Sequence, residues 1–193
     1  MEETNAAPVE QVVLLDDEGR AIGTADKAAV HHRDTPLHLA FSCYVFDRAG
    51  RLLLTRRAHD KRTWPGVWTN SCCGHPAPGE SPLEAVVRRT RQELGIELER
   101  LSVVLPDFRY RAVMEDGTVE HEVCPVHVAV LADPATLAPD PAEVAEHAWV
   151  DWPSFRADVL AGSRDVSPWC RLQVEALPAD PRPDAVVPAA APR

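Results

Sequence analysis

One helix stands out in this chain: "SPLEAVVRRTRQELGI", residues 81–96. Ser81 is a good N-cap, Pro82 suits the first helical position, and Glu84 closes a capping box. Gly95 supplies the stop. Ala85, Val86 and Leu94 give part of an apolar face. Elsewhere the chain reads mostly as short strands. "VEQVVLLD" is one run. "LHLAFSCYVFD" and "RLLLTRRA", separated by "AG", read as a hairpin. "LSVVLPDFRYRAV" and "VEHEVCPVHVAVL" read as a second pair around "MEDGT", whose Asp-Gly marks a turn. "EHAWVDW" reads as a last strand, and "WPSFRADVLAG" and "SPWCRLQVEAL" as two further short helices. Paired strands with a few helices predict an α+β (α/β/α) domain: a mixed β-sheet with flanking helices. The 193 residues suffice for one such domain, expected over residues 9–178. Residues 1–8 and the Pro/Ala-rich 179–193 have little to bury and are expected to be disordered.

Charge narrows the function classes. The net charge is −10 with His neutral, which repels nucleic acid and anionic membrane. No run of ~18 apolar residues exists to span a bilayer. The acidic start "MEETNAAPVE" lacks the features of a secretory signal, so a cytoplasmic protein without a nucleic-acid, membrane or protein partner is expected. An anionic substrate would need a local basic pocket. The five cysteines are irregularly spaced and odd in number, which argues against a disulfide framework. No C-x-x-C occurs, so a four-cysteine zinc site is not expected. Cys43, Cys124 and Cys170 lie in apolar runs and read as core. That leaves the pair in "TNSCCGHP", Cys72 and Cys73.

The best helix carries a spaced pattern. Gly74, Glu80, Arg88, Glu93, Gly95 and Ile96 fall on the fixed positions of the Nudix box, so the fold looks Nudix. Arg89 and Gln92 stand where glutamates are expected, and Thr90 replaces an apolar residue. Those glutamates hold Mg²⁺ ions against a pyrophosphate in Nudix hydrolases. With two replaced, the usual metal cluster cannot form. An arginine there would bind phosphate sooner than metal.

Other groups suit a metal. "HHRDTPLHLAF" holds His31 and His38, "CGHP" holds His75, and "VEHEVCP" holds Glu120 and Glu122 two apart in a strand-like run. Residues i and i+2 of a strand share a face, and two like charges there repel unless a cation or proton lies between them. Imidazole plus carboxylate fits Zn²⁺, Mn²⁺ or Fe²⁺ better than Ca²⁺. Taken singly, each residue also fits an ordinary core or surface position.

Four stretches bring these residues into one frame. "TADKAAVHHRDTPLHLAFS", "RRAHDKRTWPGVWTNSCCGHP", "PDFRYRA" and "VEHEVCPV" closely resemble the type I isopentenyl-diphosphate Δ-isomerases, in the same order and at the same spacing. The resemblance runs from about Val12 to Trp169 in "SPWC". It implies a metal at His31, His38, His75, Glu120 and Glu122, filled by Mn²⁺ or Zn²⁺. It implies Cys73 and Glu122 as catalytic residues with Tyr110 assisting, and Cys72 as packing. It implies a Mg²⁺ held by Glu93 and the Cys73 main-chain carbonyl together with the substrate diphosphate. Lys27, Arg57, Lys61 and Arg89 match the diphosphate-binding residues, and Trp169 matches the aromatic facing the substrate. Trp64 and Trp68 are expected to be structural.

The implied reaction converts isopentenyl diphosphate to dimethylallyl diphosphate, in isoprenoid biosynthesis. An unactivated alkene needs a positioned acid, and the tertiary carbocation then loses a proton to a second group. Glu122 is expected as donor and Cys73 as acceptor in the forward direction, with the roles exchanged in reverse. An aromatic face such as Trp169 would shelter the cation. A Nudix pyrophosphohydrolase and a metal-stabilised binding module are the competing readings. The missing box glutamates oppose the first, and the second leaves Cys73 and the basic residues without a role.

Overall fold

The computed structural model describes residues 10–183. In chain order the elements are β1 (Gln11–Leu15), β2 (Ala21–Asp26), the single turn α1 (Lys27–Val30), β3 (His38–Leu39), β4 (Phe41–Phe46) and β5 (Arg51–Arg57). Then come β6 (Trp68–Thr69), β7 (Cys72–Gly74), α2 (Pro82–Leu94), β8 (Leu98–Leu105), β9 (Arg109–Val113) and β10 (Val119–Val123). β11 (Val126–Leu131), β12 (Val144–Asp151), α3 (Trp152–Leu160) and α4 (Pro168–Ala176) complete the fold. Two sheets form. The smaller has the order β2-β1-β3-β10-β9; the larger runs β12-β5-β4-β11-β8, with β6 paired to β5 and β7 to β4. Both are mixed, because β10 runs parallel to β3 and β11 parallel to β4.

β4 explains the layering. All six of its residues are buried. Phe41, Cys43 and Val45 pack with Ala85, Val86 and Leu94 of α2. Tyr44 and Phe46 pack on the other side with Trp152 and Phe155 of α3 and Cys170 and Val174 of α4. A strand covered by helices on both faces is buried along its whole length rather than on alternate residues, as this run is, with Ser42 its one small polar exception. The expected α/β/α arrangement is therefore present.

The two expected hairpins both differ in detail. β4 and β5 pair only at Phe46↔Leu52 and then part. Residues 68–74 enter the gap as β6 and β7, which places Cys73 opposite Ser42. Polar side chains fill the apex. Ser71 Oγ donates to Leu53 O (2.6 Å) and accepts from Val45 N (2.7 Å), and Thr55 Oγ1 donates to Asn70 O (2.8 Å). In the second pair each long run breaks in two. β8 pairs with β11 in the larger sheet and β9 with β10 in the smaller. The breaks fall at Pro106 and Pro125, which have no N–H for a ladder.

The helices start and stop as their sequences require. Ser81 Oγ accepts from Glu84 N, and the Glu84 carboxylate accepts from Ser81 N (2.9 Å). Gly95 closes α2 at φ 67°, the left-handed conformation that glycine adopts at no steric cost. Trp152 Nε1 donates to Ala179 O at 2.7 Å, so the chain just past residue 178 lies against α3. Of the disorder expected over 1–8 and 179–193, residues 1–8 and 184–193 fall outside the described residues. Among the described residues no helix is long and apolar enough to cross a membrane.

Candidate active site and metal centre

The smaller sheet aligns one half of the site through its register. Glu122 on β10 stands beside His38 on β3 and Tyr110 on β9. His31 ends α1, and His75 follows β7. These elements bring His31, His38, His75 and Glu122 together, with one ligand atom of each within 4.8 Å of the others. The three imidazole centroids are 5.1–5.7 Å apart. His75 Nε2 lies 3.2 Å from Glu122 Oε1. His31 Nε2, His38 Nε2 and His75 Nδ1 are buried without a hydrogen-bond partner. Buried orphan nitrogens are costly, and neutral imidazoles with a free lone pair are what a divalent cation requires. Burial, and then the neighbouring His75, depress His31 to a pKa of about 3, so it is neutral at ordinary pH. His/carboxylate ligation fits this cluster.

Glu120 lies beside the four rather than among them. The Tyr110 hydroxyl is 2.7 Å from Glu120 Oε2 and 2.8 Å from Glu122 Oε2, and all three residues are buried. A phenol has one proton, so both contacts are hydrogen bonds only when one carboxyl carries a proton of its own. Burial and the charge of Glu122 raise the Glu120 pKa. Burial would also raise Glu122, but the neighbouring His38 and His75 outweigh it and hold Glu122 well below the usual carboxylate range. The two carboxyls are thus pushed apart, Glu120 toward the protonated form and Glu122 toward the ionised one.

The larger sheet supplies the thiol. Cys73 is half-buried and lines the cleft; Cys43, Cys72, Cys124 and Cys170 are buried. Cys73 Sγ donates to Asn70 Oδ1 at 3.1 Å and lies 3.4 Å from Ser42 Oγ. Burial pushes its pKa up to about 11, against the lowering effect of those two contacts. That shift favours the thiol form of Cys73. Cys72 lies in the core with α2, consistent with packing. Trp169 is nearly fully buried between Trp64 (centroids 5.5 Å apart) and Tyr110 (5.9 Å), with the Arg57 guanidinium 5.8 Å from its ring. Trp64 holds a φ of +44°, rare for a bulky residue, so the loop before β6 is strained where it meets Trp169. Trp68 packs against the same core.

Cations line this cleft of about 540 Å³, among them Lys27, Arg57, Lys61 and Arg89. Sequence reasoning missed the carboxylates that hold Lys27, Lys61 and Arg89. Glu10 accepts from Lys27 at 2.6 Å, and Glu143 is bonded to Lys61 and lies 3.4 Å from Arg89. Glu143 precedes β12 with no pattern to mark it. Glu93 does not line the cleft; it is buried and accepts from Arg89 Nε at 2.7 Å. Burial raises its pKa against the pull of Arg89. Ser42 and Asn70 were also missed. Asn70 stood in "TNSCCGHP", a polar residue beside a buried run, and that was its only signal.

The box residues have direct structural reasons. A Cβ on Gly74 would come within 3.1 Å of the Phe41 ring and 3.3 Å of Arg89 Cγ. Arg88 forks onto Glu80 with two 2.7 Å bonds and also reaches the His75 carbonyl, bracing the turn that aims His75. Such a helix beside a mixed sheet, with a His/carboxylate cluster that could hold a divalent cation, fits a Nudix-like domain.

The comparisons with known proteins agree. The NUDIX domain family matches residues 36–170. Two relatives, each named isopentenyl-diphosphate Delta-isomerase, are highly similar. The Saccharopolyspora erythraea protein is 63% identical over 169 residues, covering 88% of this chain and 86% of its own. The Mycolicibacterium vanbaalenii protein is 59% identical over 179 residues, covering 93% and 96%. The chain belongs to the isopentenyl-diphosphate Delta-isomerase family of the Nudix superfamily. Among solved structures, DR0079 of Deinococcus radiodurans aligns with a TM-score of 0.65 at 20% identity over 86% of this chain and 98% of that one. A MutT protein of Methanosarcina mazei aligns at 0.57 and 20% identity over 74% and 94%. These two establish the fold alone.

Proposed function

We propose that the chain interconverts isopentenyl diphosphate and dimethylallyl diphosphate for isoprenoid synthesis. One C=C bond moves, with no redox change and no loss of phosphate. The observation that carries this reading is the convergence on one cation-lined cleft of a thiol and a phenol-bridged carboxylate pair.

The substrate diphosphate binds Lys27, Arg57, Lys61 and Arg89 and exchanges with the carboxylates that hold Lys27, Lys61 and Arg89. That remote binding orients the alkene deeper in the cleft. Cys73 and the Glu122–Tyr110 pair handle the two protons: one gives a proton to the terminal carbon, and the other takes one from the carbon next to the cationic centre. The roles reverse with the direction of reaction. Trp169 offers its face to the cation in a site closed to water. His31, His38, His75 and Glu122, with Glu120 beside them, would hold Mn²⁺ or Zn²⁺. The Cys73 carbonyl, with Glu93 once it is released from Arg89, would hold Mg²⁺ with the diphosphate. A bound divalent cation supplies positive charge that sharpens carboxyl acidity and neutralises phosphate.

The test is a pair of substitutions. Cys73→Ala and Glu122→Gln should each lower kcat by about 10²–10⁴-fold, the range of a general acid or base. Full turnover in either variant removes that residue from the mechanism.

A further inference from the structure

Asn70 is completely buried where β4 and β5 part, and both ends of its amide are in use. Nδ2 donates to Cys43 O at 3.0 Å and to Cys72 O at 2.9 Å. Two carbonyls cannot donate, so the amide cannot be reversed and its oxygen must face the other way. There Oδ1 accepts from Cys73 Sγ at 3.1 Å, Trp169 Nε1 at 3.2 Å and Thr69 Oγ1 at 2.9 Å. One oxygen thus joins a thiol from β7 to an indole from α4.

We infer that Asn70 is a positioning residue for the isomerisation: its amide oxygen ties the Cys73 thiol to the Trp169 indole. The inference rests on the roles proposed above for those two residues. A cysteine side chain has three staggered positions, and this bond selects one of them. Ser42 Oγ, 3.4 Å away and itself held by Gln173 Nε2 at 2.9 Å, brackets the sulfur from a second direction. The same oxygen fixes the turn of the Trp169 ring, already boxed by Trp64 and Tyr110. A proton moves at the sulfur while positive charge develops against the ring. Both must therefore keep one geometry relative to the alkene, and small misplacements of reacting groups are expensive in rate. The two ends of the amide do separate work: Nδ2 closes the split sheet, and Oδ1 aligns the site.

That division is what the experiment reads. Isomerisation kinetics of the full chain are compared for Asn70→Ala, Asn70→Asp and Cys73→Ala. Aspartate keeps an oxygen toward Cys73 and Trp169 but loses the donors to both carbonyls. Both Asn70 variants should melt earlier than the parent. Asn70→Ala should lose about 10- to 100-fold in kcat with KM within about threefold, while Asn70→Asp stays within about threefold of the parent kcat. Asn70→Ala within about twofold of the parent kcat, or Asn70→Asp falling as far as Asn70→Ala, makes Asn70 a residue of the fold only and overturns the inference. Should Asn70→Ala fail to fold, Trp169 is exchanged for its benzothiophene analogue, which keeps the fused rings and lacks the N–H. A fall in kcat at constant KM supports the tie, and unchanged kcat overturns it. Full turnover in Cys73→Ala would sink the role of Cys73 and this inference with it. An inactive Cys73→Ala beside a normal Asn70→Ala would sink this inference alone.

Discussion

One phenol proton lies between two buried carboxyls, and that scarcity sets the chemistry around Tyr110. With its hydroxyl 2.7 and 2.8 Å from Glu120 and Glu122, removing it leaves two carboxyls facing each other without a relay. Tyr110→Phe should lower kcat by about 10- to 100-fold with little change in KM, measured by steady-state isomerisation. The three orphan imidazole nitrogens make a separate expectation. The parent should retain about one Mn²⁺ or Zn²⁺ per chain after dialysis and His38→Ala should lose most of it, measured by elemental analysis and independent of activity. Full metal content in that variant would contradict the ligand set. These residues were legible only in part. "VEHEVCP" announced two carboxylates on one strand face, and the structure keeps them there. No spacing rule joins His31 to Glu122 across ninety residues of chain, so the set came from resemblance and the register of β3 with β10 supplies its physical reason. Glu143 and Glu10 were invisible, because a charged residue lining a cleft has the same local sequence as any solvated one.

At the scale of elements, capping chemistry was the most legible part. Ser81, Pro82, Glu84 and Gly95 each do what their residue types require. Ser81→Ala should destabilise the protein by about 1 kcal/mol, measured by urea denaturation with an unchanged m-value. No loss would mean that packing of α2 against β4 and β7 alone fixes the helix start. The strands were legible as runs but not as partners. "LHLAFSCYVFD" and "RLLLTRRA" meet at one residue pair only, because "WTNSCCG" is polar enough at Asn70 and Ser71 to satisfy the freed backbone groups between them. Period-2 reading detects a strand; it does not detect a later segment wedged between two neighbours. That wedge is what carries Cys73 to the cleft.

For the molecule as a whole, the net charge of −10 and an anionic ligand are reconciled by locality. Lys27, Arg57, Lys61 and Arg89 line one cleft, where they can meet an anion despite the net charge. Stability also has a pH signature away from the metal centre. His127 is buried on β11 against Phe41, and burial depresses its pKa below the ordinary 6.5, partly offset by backbone contacts. Its neutral form is the folded one. The contribution is therefore present above about pH 6.5 and is lost as pH falls toward the folded value, where the unfolded chain binds the extra proton. His127→Gln should flatten the decline in unfolding free energy below pH 6.5 relative to the parent; an unchanged slope would place the acid sensitivity elsewhere. The central claim is the reaction itself. Its most direct test is proton NMR of the purified protein with isopentenyl diphosphate and Mg²⁺, plus Mn²⁺ or Zn²⁺, in D₂O, with phosphate release followed in the same tube. Deuterium entering dimethylallyl diphosphate without phosphate release is the expected result. Release of phosphate, or an unchanged spectrum with every metal supplied, would contradict it.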